Sequence, residues 1–490
     1  MPGVTISTAV RTGPSNATVR ASSQLFVAGF AERGPVGSVV TVQSLEEFES
    51  YFGQFISTAY LHPTVQAFFE EGGTRAQVSR VVGDGATEGF KALADGDTDP
   101  TIKVWALGTG TWATNLELQV VDTSDTLAGS VGIKIWYNDA LILNTGAKTT
   151  VAGLINAINT GTTSSLYVYA VDLASENVNP LPAVAARAAF TTGEDGSAAV
   201  LADYSAAIEL FDDSYGDGVI SIPETSLETV QKALVDHANT NNRLAILHSS
   251  SSTTSDDVVD DVAAITAHDN AEHAAYYFPW VYVPTSVSGV SRLIPPDGYV
   301  AAKRALAHNQ TGPHQPAAGL LSKARFVTGV ASDIDAATGD TLDAAGVNAI
   351  RIISNSVRIY GARSCSSDSA NFRYYTAQDV LNTVVVQAYS QLDDLLFSVI
   401  NGRNTVYGDV ESRLISLLEG LRLLGALYEA YDANGNKTDI GYTVKCNASI
   451  NPITQVANGI IKAEVGVRVS SVGDRINVTI VKSNLTTSVV

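Results

Sequence analysis

Between residues 197 and 350 helical and strand periods alternate, and this order limits the fold more than any other feature of the chain. Residues 197–211 read as a helix and Val219–Ile222 as a strand. A helix over 226–239 precedes the strand Arg243–His248, and a helix over 256–267 precedes the strand Ala274–Pro284. Strands and helices in strict succession build βαβ units and a largely parallel sheet.

The flanking stretches extend the pattern. Val4, Ile6 and Val10 alternate with Thr5, Ser7 and Arg11, a strand of period two that Gly13-Pro14-Ser15-Asn16 breaks. With no hairpin partner nearby, that strand must pair with something distant. Residues 18–31 are apolar and β-like, and end at Glu32-Arg33-Gly34-Pro35. Ser44 with Glu47 three residues on has the spacing of a capping box and predicts a helix over 44–52. A second helix is expected over 60–71, with Val65, Phe68 and Phe69 inward and Gly72-Gly73 as its stop, before a strand Ala76–Val82.

Residues 84–190 are rich in Thr, Gly, Asp and Ser. They hold short strands at Ile102–Leu107, Leu116–Val121 and Gly132–Tyr137 and one helix, Val151–Asn159, so they read as a β-rich insertion. Asn179-Pro180-Leu181-Pro182 and Gly193-Glu194-Asp195-Gly196 mark its exit. Two helices follow later. Leu381, Val384, Ala388, Leu392, Leu395 and Val399 form one face over 380–400, and Val410, Leu414, Leu417, Leu421, Leu424 and Tyr428 one face over 410–428. Late strands are expected at Val465, Val467 and Val469 and at Ile476, Val478 and Ile480.

Composition narrows the function. Hydrophobic residues make up 45% of 490, enough for large cores. No apolar run approaches the roughly 18–20 residues of a membrane helix, and the N-terminus has no signal-peptide pattern, so a soluble, intracellular product without membrane insertion is expected. Two cysteines, Cys365 and Cys446, make no disulfide framework. The net charge of −20 argues against direct nucleic-acid binding. That charge is uneven: residues 351–490 hold 13 basic and 12 acidic side chains, and residues 1–350 hold 17 and 38.

Chemistry is hard to find. No P-loop, GxSxG elbow or HExxH occurs. His268 and His273 are five apart, wrong for two ligands on one helical face, and Glu272-His273 reads as surface. Asp256, Asp257, Asp260 and Asp261 read as a solvated helix start at the positive end of its dipole. Asp432-Ala433-Asn434-Gly435-Asn436 fails as a calcium loop, because Lys437 and Thr443 stand where Gly and Glu are required; it reads as a turn. His248-Ser249-Ser250 ends a strand, where active sites occur, and is the best hydrolase candidate. The expectation is no enzyme and no cofactor or metal: a chain of this length without a credible site works by assembly.

Phe26-Val27-Ala28-Gly29-Phe30-Ala31-Glu32-Arg33-Gly34-Pro35-Val36 resembles the opening of contractile tail sheath proteins. Ser44-Leu45-Glu46-Glu47-Phe48, Phe52-Gly53 and the run from Val65 through Gly72-Gly73 to Ala76–Val81 follow at similar spacing. Gly110-Thr111-Trp112-Ala113-Thr114-Asn115-Leu116, Ala275–Val281, Ile294–Ala301 and Pro316-Ala317-Ala318-Gly319 are similar too. The densest similarity is Gly346–Arg351, Arg358–Ser364, Ser367-Asp368 and Phe372-Arg373-Tyr374. No single motif is specific; their collinear order is.

The resemblance implies a multidomain α/β chain with a subtilisin-like core, a β-rich outer domain and an inner α+β C-terminal domain near a tail tube. The expected division is an arm over 1–20, central domain over 21–91 and 191–350, outer domain over 92–190, C-terminal domain over 351–470 and a strand arm over 471–490. It implies stacked rings of one subunit forming a helical sheath in a virion tail, assembled in the host cytoplasm. Partners would be the tail tube, baseplate and tail terminator proteins, and contraction would drive the tube through the host envelope for genome delivery. Val4, Ile6, Val10, Ile476, Val478 and Ile480 are the expected inter-subunit strands. Arg351, Arg358, Arg363 and Arg373 are the candidate interface or tube-facing groups, with pairing inside the domain as their plainer role. The alternatives are a hydrolase on the subtilisin-like core or another tail or baseplate component.

Overall fold

The computed structural model describes residues 22–474 apart from Ser286 and Ser288. The expected terminal strands, Val4, Ile6 and Val10 and Ile476, Val478 and Ile480, lie outside the described residues.

The centre is an eight-stranded sheet. Its order is Ser356–Tyr360, Val347–Ile353, Ala274–Phe278, Leu244–His248, Val219–Ser221, Leu25–Gly29, Ala76–Arg80 and Val39–Val42. The six inner strands run parallel, and both edge strands are antiparallel to their neighbours. Leu25–Gly29, Leu244–His248 and Ala274–Phe278 are buried at every position, as expected of strands covered on both faces. Leu25 and Val27 pack on one face with the helices Leu45–Phe52, Leu61–Glu70 and Asp297–Gln310. Phe26 and Ala28 pack on the other with Leu201–Glu209, Glu228–Thr240, Asp257–Thr266 and Ala336–Ala345.

The helices expected from the alternation are present with ends shifted by a few residues. Ser44 caps its helix by accepting from the Glu47 N–H, while Glu47 reaches the N–H of Gln43 rather than that of Ser44. The expected strand Ala274–Pro284 divides in two. Pro279 has no N–H to continue the ladder, and Val281–Pro284 pairs instead with Ser291–Ile294 and Gly329–Val330.

Two expected boundaries cut through strands. The break at 350/351 falls inside Val347–Ile353, which turns through Ser354-Asn355, both at positive φ, into the sheet edge Ser356–Tyr360. That is the conformation of a two-residue hairpin, so the sheet runs to Tyr360. The break at 91/92 falls inside Phe90–Ala94, paired with Pro100–Ala106. The stem of the insertion lies earlier, where Thr87 bridges Glu194. Beyond that stem a four-stranded and a three-stranded antiparallel sheet and the helix Val151–Asn159 share their own core, including Leu118, Ile135, Val104 and Leu154.

After the sheet, helices Tyr375–Leu392 and Thr405–Leu423 pack together with the strand pair Tyr442–Lys445 and Glu464–Val467. Both helices stop short of expectation. Asp393-Asp394 would sit at the negative end of the first helix dipole, and Val399 is 79% exposed. Gly425, at φ +82°, follows the end of the second, leaving Leu424 and Tyr428 exposed.

Candidate functional site

Strand order reverses beside Leu25–Gly29: the chain first builds Val39–Val42 and Ala76–Arg80 on one side and later Val219–Ser221 on the other. In open parallel sheets the crevice beyond such a reversal is where ligands bind. Here Glu224 fills it. Its carboxylate accepts from the backbone N–H groups of Phe30, Tyr60 and Leu61 at 2.9–3.1 Å, at the start of the helix Leu61–Glu70. A Cβ on Gly29 would come within 2.8 Å of its Oε1, so only glycine lets the carboxylate in. Burial pushes the Glu224 carboxyl up to about 7. The anion seat of this sheet is occupied by the chain itself.

At the hydrolase candidate His248-Ser249-Ser250 neither serine is bonded to the imidazole: half-buried Ser250 shares its hydroxyl with Ser252 and Thr253. His248 Nδ1 lies 3.0 Å from buried Asp297. Ser249 is fully buried and donates to the Ser250 carbonyl, and Trp280 stands edge-on to the imidazole. His273, expected on the surface, is buried and bonds through Nδ1 to the Arg243 carbonyl. Asp256, Asp257, Asp260 and Asp261 are exposed. The Asp432–Asn436 segment is a turn between paired strands. Among the described residues no group of three or more His, Cys, Asp or Glu could hold a metal, and no helix could span a membrane.

The four arginines fare differently. Arg351 and Arg358 face each other across the edge hairpin. Arg351 Nε donates to the Ile334 carbonyl and Arg358 Nε to Ser356 Oγ. Arg363 is buried and grips both oxygens of Asp343, while its Nη2 also reaches Asp474 at 3.0 Å. Exposed Arg373 lies 3.6 Å from the same Asp474. Arg351 and Arg363 share the wall of a cavity of about 750 Å³.

Sequence reasoning missed the joints between parts. Arg304 on helix Asp297–Gln310 makes a two-point ion pair with Asp379 on Tyr375–Leu392, and its Nη1 donates to the Ser22 carbonyl. His308 meets Asp379 at 3.3 Å and Ser22 Oγ at 2.8 Å. Burial raises the Asp379 carboxyl, but Arg304 and His308 outweigh it and hold the group below its ordinary value. A second joint uses Glu32-Arg33. Glu32 accepts from Tyr137 of the inserted domain. The Arg33 guanidinium donates to the carbonyls of Tyr51, Glu49 and Leu166 and lies over the Tyr167 ring. A third carboxylate, Glu71, pairs with buried Lys303 at 2.6 Å and accepts from the N–H groups of Arg325, Phe326 and Val327. An acid at the C-terminal end of a helix opposes the dipole, and that misplacement was a signal available in the sequence.

No protein-family model matches the sequence, and no curated protein sequence does. Solved structures do match. A sheath tail protein from Listeria innocua aligns with TM-score 0.62 at 12% identity over 88% of this chain and 92% of its own. One from Desulfitobacterium hafniense gives 0.56 at 15% identity over 90% and 93%. The helical sheath of the anti-feeding prophage in its contracted state gives 0.57 at 14% identity over 99% of both chains. This chain has the contractile-sheath fold. Within that fold the resembling segment Glu32-Arg33-Gly34-Pro35 acquires a physical role, since it ties the inserted domain to the central sheet.

Proposed function

We propose that this chain is the sheath subunit of a contractile tail. Its central domain is of the subtilisin-like kind without a protease role. Subunits stack as rings and polymerise helically around a tail tube, with baseplate and terminator proteins at the ends. Repeated interfaces that do not close along the axis generate such filaments. Contraction then repacks rigid subunits and drives the tube through the host envelope to deliver a genome, so the chain resides in the virion tail after assembly in the host cytoplasm.

The terminal segments act as links between subunits. Val4, Ile6 and Val10 and Ile476, Val478 and Ile480 would add to a neighbour's sheet edge, which satisfies their backbone groups; the short pair Tyr442–Lys445 and Glu464–Val467 is a candidate acceptor. Of the four arginines, exposed Arg373 is the best placed for contact with the tube or a neighbour.

The observation that carries this reading is likeness to contractile sheaths from one end of the chain to the other, together with an internally plugged crevice. Electron microscopy of the purified chain tests it: long hollow tubes with a helical repeat are expected. Discrete closed rings, or a persistent monomer at high concentration, would favour a baseplate component instead.

A further inference from the structure

The cavity beside Arg363 lies between the helix Ala336–Ala345, the end of strand Ser356–Tyr360 and the last described stretch, Ser470–Asp474. Its wall carries charges of both signs, Asp340, Asp343 and Asp474 beside Arg351 and Arg363. Arg363 holds Asp343 and Asp474, and Arg351 donates to the Ile334 carbonyl. Burial raises the Asp474 carboxyl, but its bond to Tyr374 and the nearby Arg363 and Arg373 prevail and keep it below its ordinary value. One donor is left over. Arg363 Nη1 is buried and has no acceptor among the described residues. A buried donor on a charged group is costly to leave unmade, so an acceptor entering here gains a charge-assisted bond. A small anion would face Asp340, Asp343 and Asp474, and a small cation would face Arg351 and Arg363. A polypeptide offering carbonyl oxygens suits both.

We propose that this cavity seats the chain's own C-terminal segment, residues 475–490, in the subunit before assembly. The inference rests on the reading above that this segment links subunits, and adds how the link is held back. The segment continues from Asp474, which is itself part of the wall, so its effective concentration at the cavity far exceeds that of any other chain. Sixteen residues at about 3.3 Å each reach roughly 50 Å, ample to fold back. The segment carries Arg475 and Lys482 and no acid, whereas the whole chain has 50 acidic against 30 basic residues; the field of the body draws it in. Alternating Ile476, Val478 and Ile480 can cover the exposed ring of Tyr360 and that of Tyr374. A seated segment hides a strand that would otherwise invite edge pairing and aggregation. Assembly then exchanges the seat for a neighbour's sheet.

The test uses the full chain with Gly339→Cys and Ser483→Cys, since a Cβ at Gly339 meets only the flexible Arg351 side chain, at 3.4 Å. In the monomer, air oxidation should form an intrachain disulfide. The oxidised chain should fail to lengthen tubes, and reduction should restore them. In the unsubstituted monomer the amides of 476–480 should exchange about tenfold more slowly than in Gly339→Trp, which fills the cavity. Equal exchange in both, disulfides joining two chains, or oxidised chain that polymerises like reduced chain overturns the proposal. So does capture of Gly339→Cys by Thr8→Cys in preference to Ser483→Cys, which would give the seat to the other end. If the unsubstituted chain makes no tubes, the sheath reading fails, while the exchange measurement still decides the seat.

Discussion

Arg304 and Asp379 meet through two hydrogen bonds of 2.7 and 3.0 Å with the Asp379 side chain wholly buried, and this pair fastens the C-terminal helices to the central sheet. Removing one partner leaves the other charge buried and alone. Asp379→Ala should therefore cost about 3–5 kcal/mol in urea unfolding. The double change Arg304→Met with Asp379→Leu should cost less than Asp379→Ala. A double variant as unstable as the single one would mean that packing, not charge, makes the joint.

Glu224 predicts a pH dependence. Its folded-state carboxyl sits at about 7 against an ordinary value of 4.5. Between those values the folded chain holds a proton that the unfolded chain has released, so stability from this group is full below pH 4.5 and is lost as pH rises through 7. Glu224→Gln should flatten that fall, and its Tm relative to the parent should rise from pH 5 to pH 8. A constant difference across that range would count against the assignment.

The inserted domain should be removable at its stem and not at the boundaries read from sequence. Thr87 and Glu194 are bridged, so a short Gly/Ser linker between them closes a gap already closed, at little entropic cost. Excision of 88–193 should give soluble chain, destabilised by the partners Arg33 and Arg80 lose at Leu166 and Thr109. Excision of 92–190 leaves half a strand at Phe90 and should aggregate. Equal solubility would show that the stem is unimportant.

Charge reversal separates structural from contact arginines. Arg363→Glu sets a third carboxylate against Asp343 and Asp474 and should lower Tm markedly. Arg373→Glu, on an exposed side chain, should leave Tm within a few degrees and impair tube formation more than Asp256→Lys does. Tubes of normal length from Arg373→Glu remove it from the interface.

Deleting residues 1–15 should leave a folded monomer that builds no long tubes. Unimpaired tubes from this truncation would refute the N-terminal link.

The sequence made the parallel sheet legible because its strands are short apolar runs separated by amphipathic helices, a pattern that local periodicity carries in full. The last hairpin was not legible because Arg351 and Arg358 interrupt the apolar period there; their heads escape to the Ile334 carbonyl and Ser356 at the edge. Helix ends were overrun where Val399 and Leu424 kept the apolar period beyond the point that Asp393 and Gly425 allow. The buried carboxylates were the hardest to see. Glu224, Glu71 and Asp379 owe their roles to backbone N–H groups and cations up to 256 residues away, and no window of sequence contains both partners.

The strand Leu25–Gly29 lies between two of the joints. Just before it, Ser22 is held by Arg304 and His308, and just after it Glu32 and Arg33 grip the inserted domain. Tension between the C-terminal helices and the inserted domain therefore runs along this strand and loads its ladders lengthwise. Hydrogen bonds on both flanks, to Val219–Ser221 and to Ala76–Arg80, must then fail together instead of unzipping one at a time. The middle of the chain is built as a tie rod, stiff along the line that joins the C-terminal helices to the inserted domain.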